Sequence, residues 1–156
     1  MAAAPCDECG WAAAGGREGC RARFDSFLAR DFSDAHYFRT HRLFVDTYCL
    51  QHPDQFCASG KSLAAHLAGL GWILAGEASA AVGPAKLHRW LNGARLLDKP
   101  DLPKRRGGIT VGDLPAEAPP SEWAEAVRRW AESTWAAYAP LHATARRWIA
   151  EAEAGL

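Results

Sequence analysis

Residues 61–76, KSLAAHLAGLGWILAG, are nearly apolar on every side beyond their first positions. A helix without a polar face has to be surrounded by other elements. The stretch is also shorter than the ~18 uninterrupted apolar residues of a membrane span, and no other stretch reaches that length. It therefore predicts a helix at the centre of a bundle.

The flanking sequence supplies the rest of that bundle. Phe24, Phe27 and Leu28 recur at three-and-four spacing, which predicts a short amphipathic helix over 17–31. Ser33-Asp34 offers a turn and an N-cap for a second, aromatic-rich helix over 35–51. His52-Pro53 ends it, because a residue before proline is pushed out of the helical region, and 53–60 reads as a loop. Gly83-Pro84 opens a fourth helix carrying Leu87, Trp90 and Leu91 to about Leu97. The last helix is expected over 121–153, with Ser121 as N-cap and a kink at Pro140. Its apolar stripe runs Trp123, Val127, Trp130, Thr134, Tyr138, Leu141, Ala145 and Trp148, a period near 3.6.

The expectation is one all-α domain over 1–156, a bundle of about five helices. It divides into an irregular Cys-rich arm over 1–16, four helices over 17–97, a connector over 98–120 and the long kinked helix. The connector holds five prolines and a short β-like patch, Ile109 to Val111. A loop that long is either functional or a strap across the bundle surface.

The 156 residues suffice for one core, so a metal is not obligatory for folding. The formal charge is zero, which provides no global attraction to nucleic acid or an anionic membrane; neither is an expected partner. The one basic run, KPDLPKRR (Lys99 to Arg106), reads as a solvated loop, with a phosphate-contacting patch as the alternative. MAAAPCDECGWAAAGG lacks the basic start and apolar run of a secretory signal. Five cysteines, an odd number, then point to reduced thiols, a cytoplasmic setting and metal binding in preference to a disulfide framework.

Cys6-x2-Cys9 is half of a candidate zinc site. A redox pair of that spacing caps a helix that follows a strand, and no strand is expected here. Cys20 adds a third thiol. If the first two helices form a hairpin turning near Phe32-Ser33, Cys20 lies level with about Asp46, within a turn of Cys49 and two turns of His52. His52 is the preferred fourth ligand and Cys49 the runner-up. A closed Cys3His site is structural, whereas one that keeps a water position can be catalytic; the structural form is preferred.

The histidines suggest a second possibility. His41, Tyr48 and His52 share a face at about 100° per residue. His41, His66 and His142 come from three separate helices, enough for an open metal site if all three face inward. Asp46 lies about 140° round the helix from His41, and an i,i+4 ion pair with Arg42 accounts for it. Motifs for phosphate-binding loops, nucleophile elbows, HExxH zinc sites and EF-hands are absent.

HRLFVDTYCLQHP (His41 to Pro53), ITVGDL (Ile109 to Leu114) and the Trp135-to-His142 end of the last helix resemble the bacterial family named domain of unknown function 5946. The resemblance covers nearly the whole chain, and CxxCG followed by Cys20 is similar to its cysteine-bearing members. It implies no assigned activity. It draws attention to His41, Asp46, Tyr48, Gln51, His52 and His142. Other members are expected to carry an aromatic in place of His66, which counts against an essential three-His site. Cys49 and Cys57 fall outside the pattern, which favours His52 as the ligand.

Three functional classes stand open on the sequence. The first is a cytoplasmic protein with structural zinc on Cys6, Cys9, Cys20 and His52. The second is a metal-dependent hydrolase or thiol transferase, in plan like the four-helix enzymes of the DinB type, with His41, Asp46, Tyr48 and His142 as catalytic residues. The third is a partner-binding module using exposed tryptophans of the last helix. The partner would be a small molecule or protein, and the chain a monomer or homodimer.

Overall fold

A computed structural model describes residues 3–76 and 83–155. The molecule is mostly helical, with eight α-helices and one two-stranded sheet among the described residues. Strands β1 (Ala3–Pro5) and β2 (Ala12–Ala14) pair antiparallel, Ala4 opposite Ala13. The helices are α1 (Arg17–Ser33), α2 (Ala35–Phe38), α3 (His41–Gln51), α4 (Pro53–Phe56), α5 (Gly60–Leu74), α6 (Gly83–Leu91), α7 (Pro120–Ala137) and α8 (His142–Ala154).

Helix α5 packs against α3, α4, α6, α7 and α8, the central place its apolar sequence demands. Ser59 starts it through a capping box: its hydroxyl accepts from Ser62 N–H, and the Ser62 hydroxyl accepts from Ser59 N–H. The stripe of the last helical segment is buried from Trp123 to Trp148, Thr134 included.

Three differences from the sequence reading have local causes. The helix count rises because two predicted segments are interrupted and an expected loop holds a short helix. The turn at Arg39-Thr40 separates α2 from α3, Pro53 starts α4 inside the expected loop, and Pro140 puts a 3-10 turn, Ala139–Leu141, between α7 and α8. The irregular arm is a β-hairpin, whose backbone pairing three-residue alanine strands do not advertise. The β-like patch at Ile109 to Val111 has no strand partner among the described residues. Instead Val111–Asp113 forms a 3-10 turn, with Asp113 accepting from the Thr110 N–H at 2.8 Å and the Thr110 hydroxyl at 3.1 Å.

The connector is a strap. Arg23 and Arg30 of α1 donate to the carbonyls of Leu114 and Ala116, and the Tyr37 hydroxyl to that of Ala118. Arg30 is also sandwiched against Tyr37 and Trp123, 3.9 and 4.1 Å from the ring centroids. Gln51, 1% exposed, provides the deepest latch. Its amide donates to Arg106 and Ile109 carbonyls, and its oxygen accepts from the Trp130 indole.

Candidate metal centre

The hairpin that carries Cys6 and Cys9 is closed by a specific turn. Gly10 takes φ 82°, a left-handed conformation open to glycine at little cost, and its N–H donates to the Cys6 carbonyl at 2.9 Å. β2 then lies directly on the first turn of α1. A Cβ at Gly19 would sit 1.8 Å from the Ala14 carbonyl oxygen, so only glycine permits this approach. The contact brings Cys20 under the hairpin.

The fourth group arrives from α3. Phe24 stacks on Tyr48 at 3.9 Å, and Tyr48 stacks on His52 at 3.9 Å, a column of rings that runs from the core to the sulfurs. The α1–α3 register sets Cys20 opposite Tyr48, about half a turn beyond Asp46. That offset puts His52 within reach of Cys20.

The donor atoms of Cys6, Cys9, Cys20 and His52 all lie within 4.8 Å of one another. Cys9 Sγ is 3.8 Å from Cys20 Sγ, and Cys20 Sγ is 3.3 Å from His52 Nε2. Tetrahedral zinc, with Zn–S of about 2.3 Å and Zn–N of about 2.0 Å, requires S···S and S···N edges of about 3.8 and 3.6 Å. The two edges that Cys20 makes are close to those dimensions, and the whole set spans no more than 4.8 Å. Cys6, Cys20 and His52 are buried and Cys9 is half-buried.

Neighbouring groups prepare the ligands. His52 Nδ1 is 2.7 Å from the Tyr48 carbonyl oxygen. A carbonyl only accepts, so Nδ1 carries the proton and Nε2 turns its lone pair to the sulfurs. The Tyr48 hydroxyl donates to Cys20 Sγ at 3.6 Å. The Cys9 thiol pKa is lowered, chiefly by its hydrogen bond with Cys20 and further by His52. That of Cys20 is raised, because a second thiolate would face the first and because burial opposes charge. A divalent cation relieves that repulsion. Burial, with the Cys20 contact adding to it, raises the Tyr48 phenol pKa and keeps it protonated as a donor.

Glu8, inside the CxxC, is a docking residue that the sequence reading missed. Its carboxylate accepts from Asp54 N–H and from Gln55 Nε2, which caps α4 and ties the hairpin to it. The available signal was Pro53-Asp54, a helix start in need of an acceptor. Asp7 is held outside by a bidentate pair with Arg17 at 2.9 and 2.8 Å.

The other candidate residues are not brought together. His41 Nδ1 lies 3.3 Å from buried Asp31, whose carboxyl pKa is raised by burial against the opposing pull of His41. His66 pairs with Asp46 at 2.9 Å, and the expected Arg42–Asp46 contact is present at 3.2 Å. His142 donates to the Trp135 carbonyl at 2.7 Å and stacks on that indole. The three-His site is thus replaced by three separate pairings, and among the described residues the one cluster able to hold a metal is Cys3His. Tyr48 touches that cluster through its hydroxyl on Cys20 Sγ, whereas His41, Asp46 and His142 make the separate pairings just described. Cys49, the runner-up ligand, is outside it: burial raises its thiol pKa, and its carbonyl accepts from Cys57. Trp123, Trp130 and Trp148 are core residues, and Trp135 of the same segment is half-buried.

The family of unknown function DUF5946 matches over residues 4–139. The chain belongs to this family. The match begins two residues before Cys6 and takes in the whole DUF5946 Cys3His cluster, together with the Gln51 latch and the connector. A comparison with curated proteins gave no match, and neither did one with solved structures. No helix among the described residues is long and apolar enough to cross a membrane.

Proposed function

We propose that this DUF5946 protein is a zinc protein whose metal is structural, pinning the N-terminal hairpin to α1 and to the end of α3. The observation that carries the reading is the convergence of three sulfurs and one imidazole nitrogen within 4.8 Å. Sulfur-rich tetrahedral sets favour zinc among the common divalent ions. Four protein ligands make a closed site, whereas catalytic zinc keeps a position for water. Five free cysteines suit the reducing cytoplasm, and we place the protein there.

Cobalt substitution tests the ligand set. Cobalt(II) added to metal-free protein is expected to saturate at one per chain, with intense tetrahedral visible bands and sulfur-to-cobalt charge transfer. Tyr48→Phe, which removes the hydroxyl from Cys20, should keep that spectrum and weaken metal affinity by about 10–100-fold. A weak octahedral spectrum, or one without charge transfer, would contradict the assignment.

A further inference from the structure

One feature of the metal centre exceeds what a purely structural site needs: Cys9 is not sealed. It lines a cleft of about 670 Å³ between the hairpin turn and the connector, together with Lys104, Arg105, Arg106, Gly107 and Gly108. The basic run of the sequence therefore forms one wall of a cavity.

The charges in that cavity are unequal. Asp7 and Glu8 also line it, but Asp7 is paired with Arg17, and the Glu8 carboxylate is 2% exposed and engaged by α4. Among the described residues, Lys104, Arg105 and Arg106 have no carboxylate partner. Arg106 Nε is buried and lacks an acceptor, and Arg106 Nη1 makes only a long contact of 3.5 Å with the Glu8 carbonyl. Zinc with three thiolates would carry one net negative charge, which three cations outweigh. The backbone of the wall is anchored, because Gln51 grips the carbonyls of Arg106 and Ile109 at 2.9 and 2.7 Å. A small anion placed here meets cations carried on an anchored backbone, which lowers the ordering cost of binding.

We propose that this cleft binds the phosphate or carboxylate group of a small molecule, held by Lys104, Arg105 and Arg106 over the Cys9 sulfur. The proposal builds on the metal reading for the geometry of Cys9, but the cationic wall belongs to the connector.

The test uses the full, zinc-loaded chain at low ionic strength, titrated with pyrophosphate and separately with citrate, and read by amide NMR. Saturable shifts are expected at residues 104–108 and at the Cys6–Gly10 turn. The double variant Lys104→Gln/Arg105→Gln should weaken binding by about tenfold or more. Arg89→Gln, in a separate basic cleft with Lys86 and Arg95, should leave it unchanged. Binding of pyrophosphate alone identifies a phosphate site, and binding of citrate alone a carboxylate site. Shifts that never saturate, shifts centred on Lys86 and Arg95, or an unchanged affinity in the double variant would overturn the proposal. Zinc is assayed in the same samples. Anion binding without zinc would retain this site and sink the metal reading; zinc without anion binding would do the reverse.

Discussion

Treatment with a strong chelator should lower the thermal midpoint by roughly 10 °C and free the hairpin, while the helices persist. The size follows from linkage. Zinc that binds only the folded state, at a free concentration a thousand times its dissociation constant, contributes about 4 kcal/mol. In a chain of this size each kcal/mol moves the midpoint by about 2–4 °C. The helices persist because most of the core lies outside the arm, which adds Cys6 and Ala13 to it: α5 is enclosed by α3, α6, α7 and α8. The hairpin has little of its own, since two strands of three residues do not hold alone. Its remaining ties include Glu8 on α4, the packing of β2 on α1, Trp11 against Gly112 of the connector, the long Arg106 contact with the Glu8 carbonyl and the exposed Asp7–Arg17 pair. Limited proteolysis should therefore cut within residues 3–16 after chelation, with far-UV circular dichroism almost unchanged. Acidification should act in the same direction, because protons displace zinc from thiolates. An unchanged midpoint, or loss of the whole helical signal, would contradict this account.

Gln51→Leu should destabilise the protein by about 3 kcal/mol, more than a typical single substitution. The substitution removes two donors and one acceptor at once. It strands the Arg106 carbonyl, the Ile109 carbonyl and the Trp130 indole N–H, in a site where Gln51 is 1% exposed. Each stranded group costs about 1–3 kcal/mol, less where water can enter. Urea unfolding should show a lower midpoint, and the native variant should be cleaved faster within 98–110. Gln51→Glu should be no better. It keeps an acceptor for Trp130 but turns a carboxylate toward two carbonyl oxygens. A loss below about 1 kcal/mol for Gln51→Leu would mean that the strap is held mainly by Arg23, Arg30 and Tyr37.

Helical class was legible because burial follows period. The stripe from Trp123 to Trp148 has every member buried, and α5 has the surroundings its apolar faces require. The CxxC spacing pointed to Cys6 and Cys9, and treating the first two predicted helices as a hairpin brought Cys20 near both Cys49 and His52, a choice that the family resemblance tipped to His52. The second set was not legible by the same means. Periodicity puts His41, His66 and His142 on helices, but each helix can turn its polar residue toward a private partner. Asp31, Asp46 and the Trp135 carbonyl are those partners. The arm was misread because strand pairing there is made by backbone groups between alanines, without a side-chain pattern. The Gln51 latch joins residues 51, 106, 109 and 130, a long-range set that no local window contains.

The central claim is that CDECG holds one zinc with Cys20 and His52. Its most direct test is the metal content of protein purified without added metal, with Cys9→Ser and His41→Ala alongside. The account predicts one zinc per chain in the parent and in His41→Ala, whose histidine pairs with Asp31, and a loss of most zinc in Cys9→Ser. Zinc kept in Cys9→Ser and lost in His41→Ala would contradict it and move the metal into the bundle.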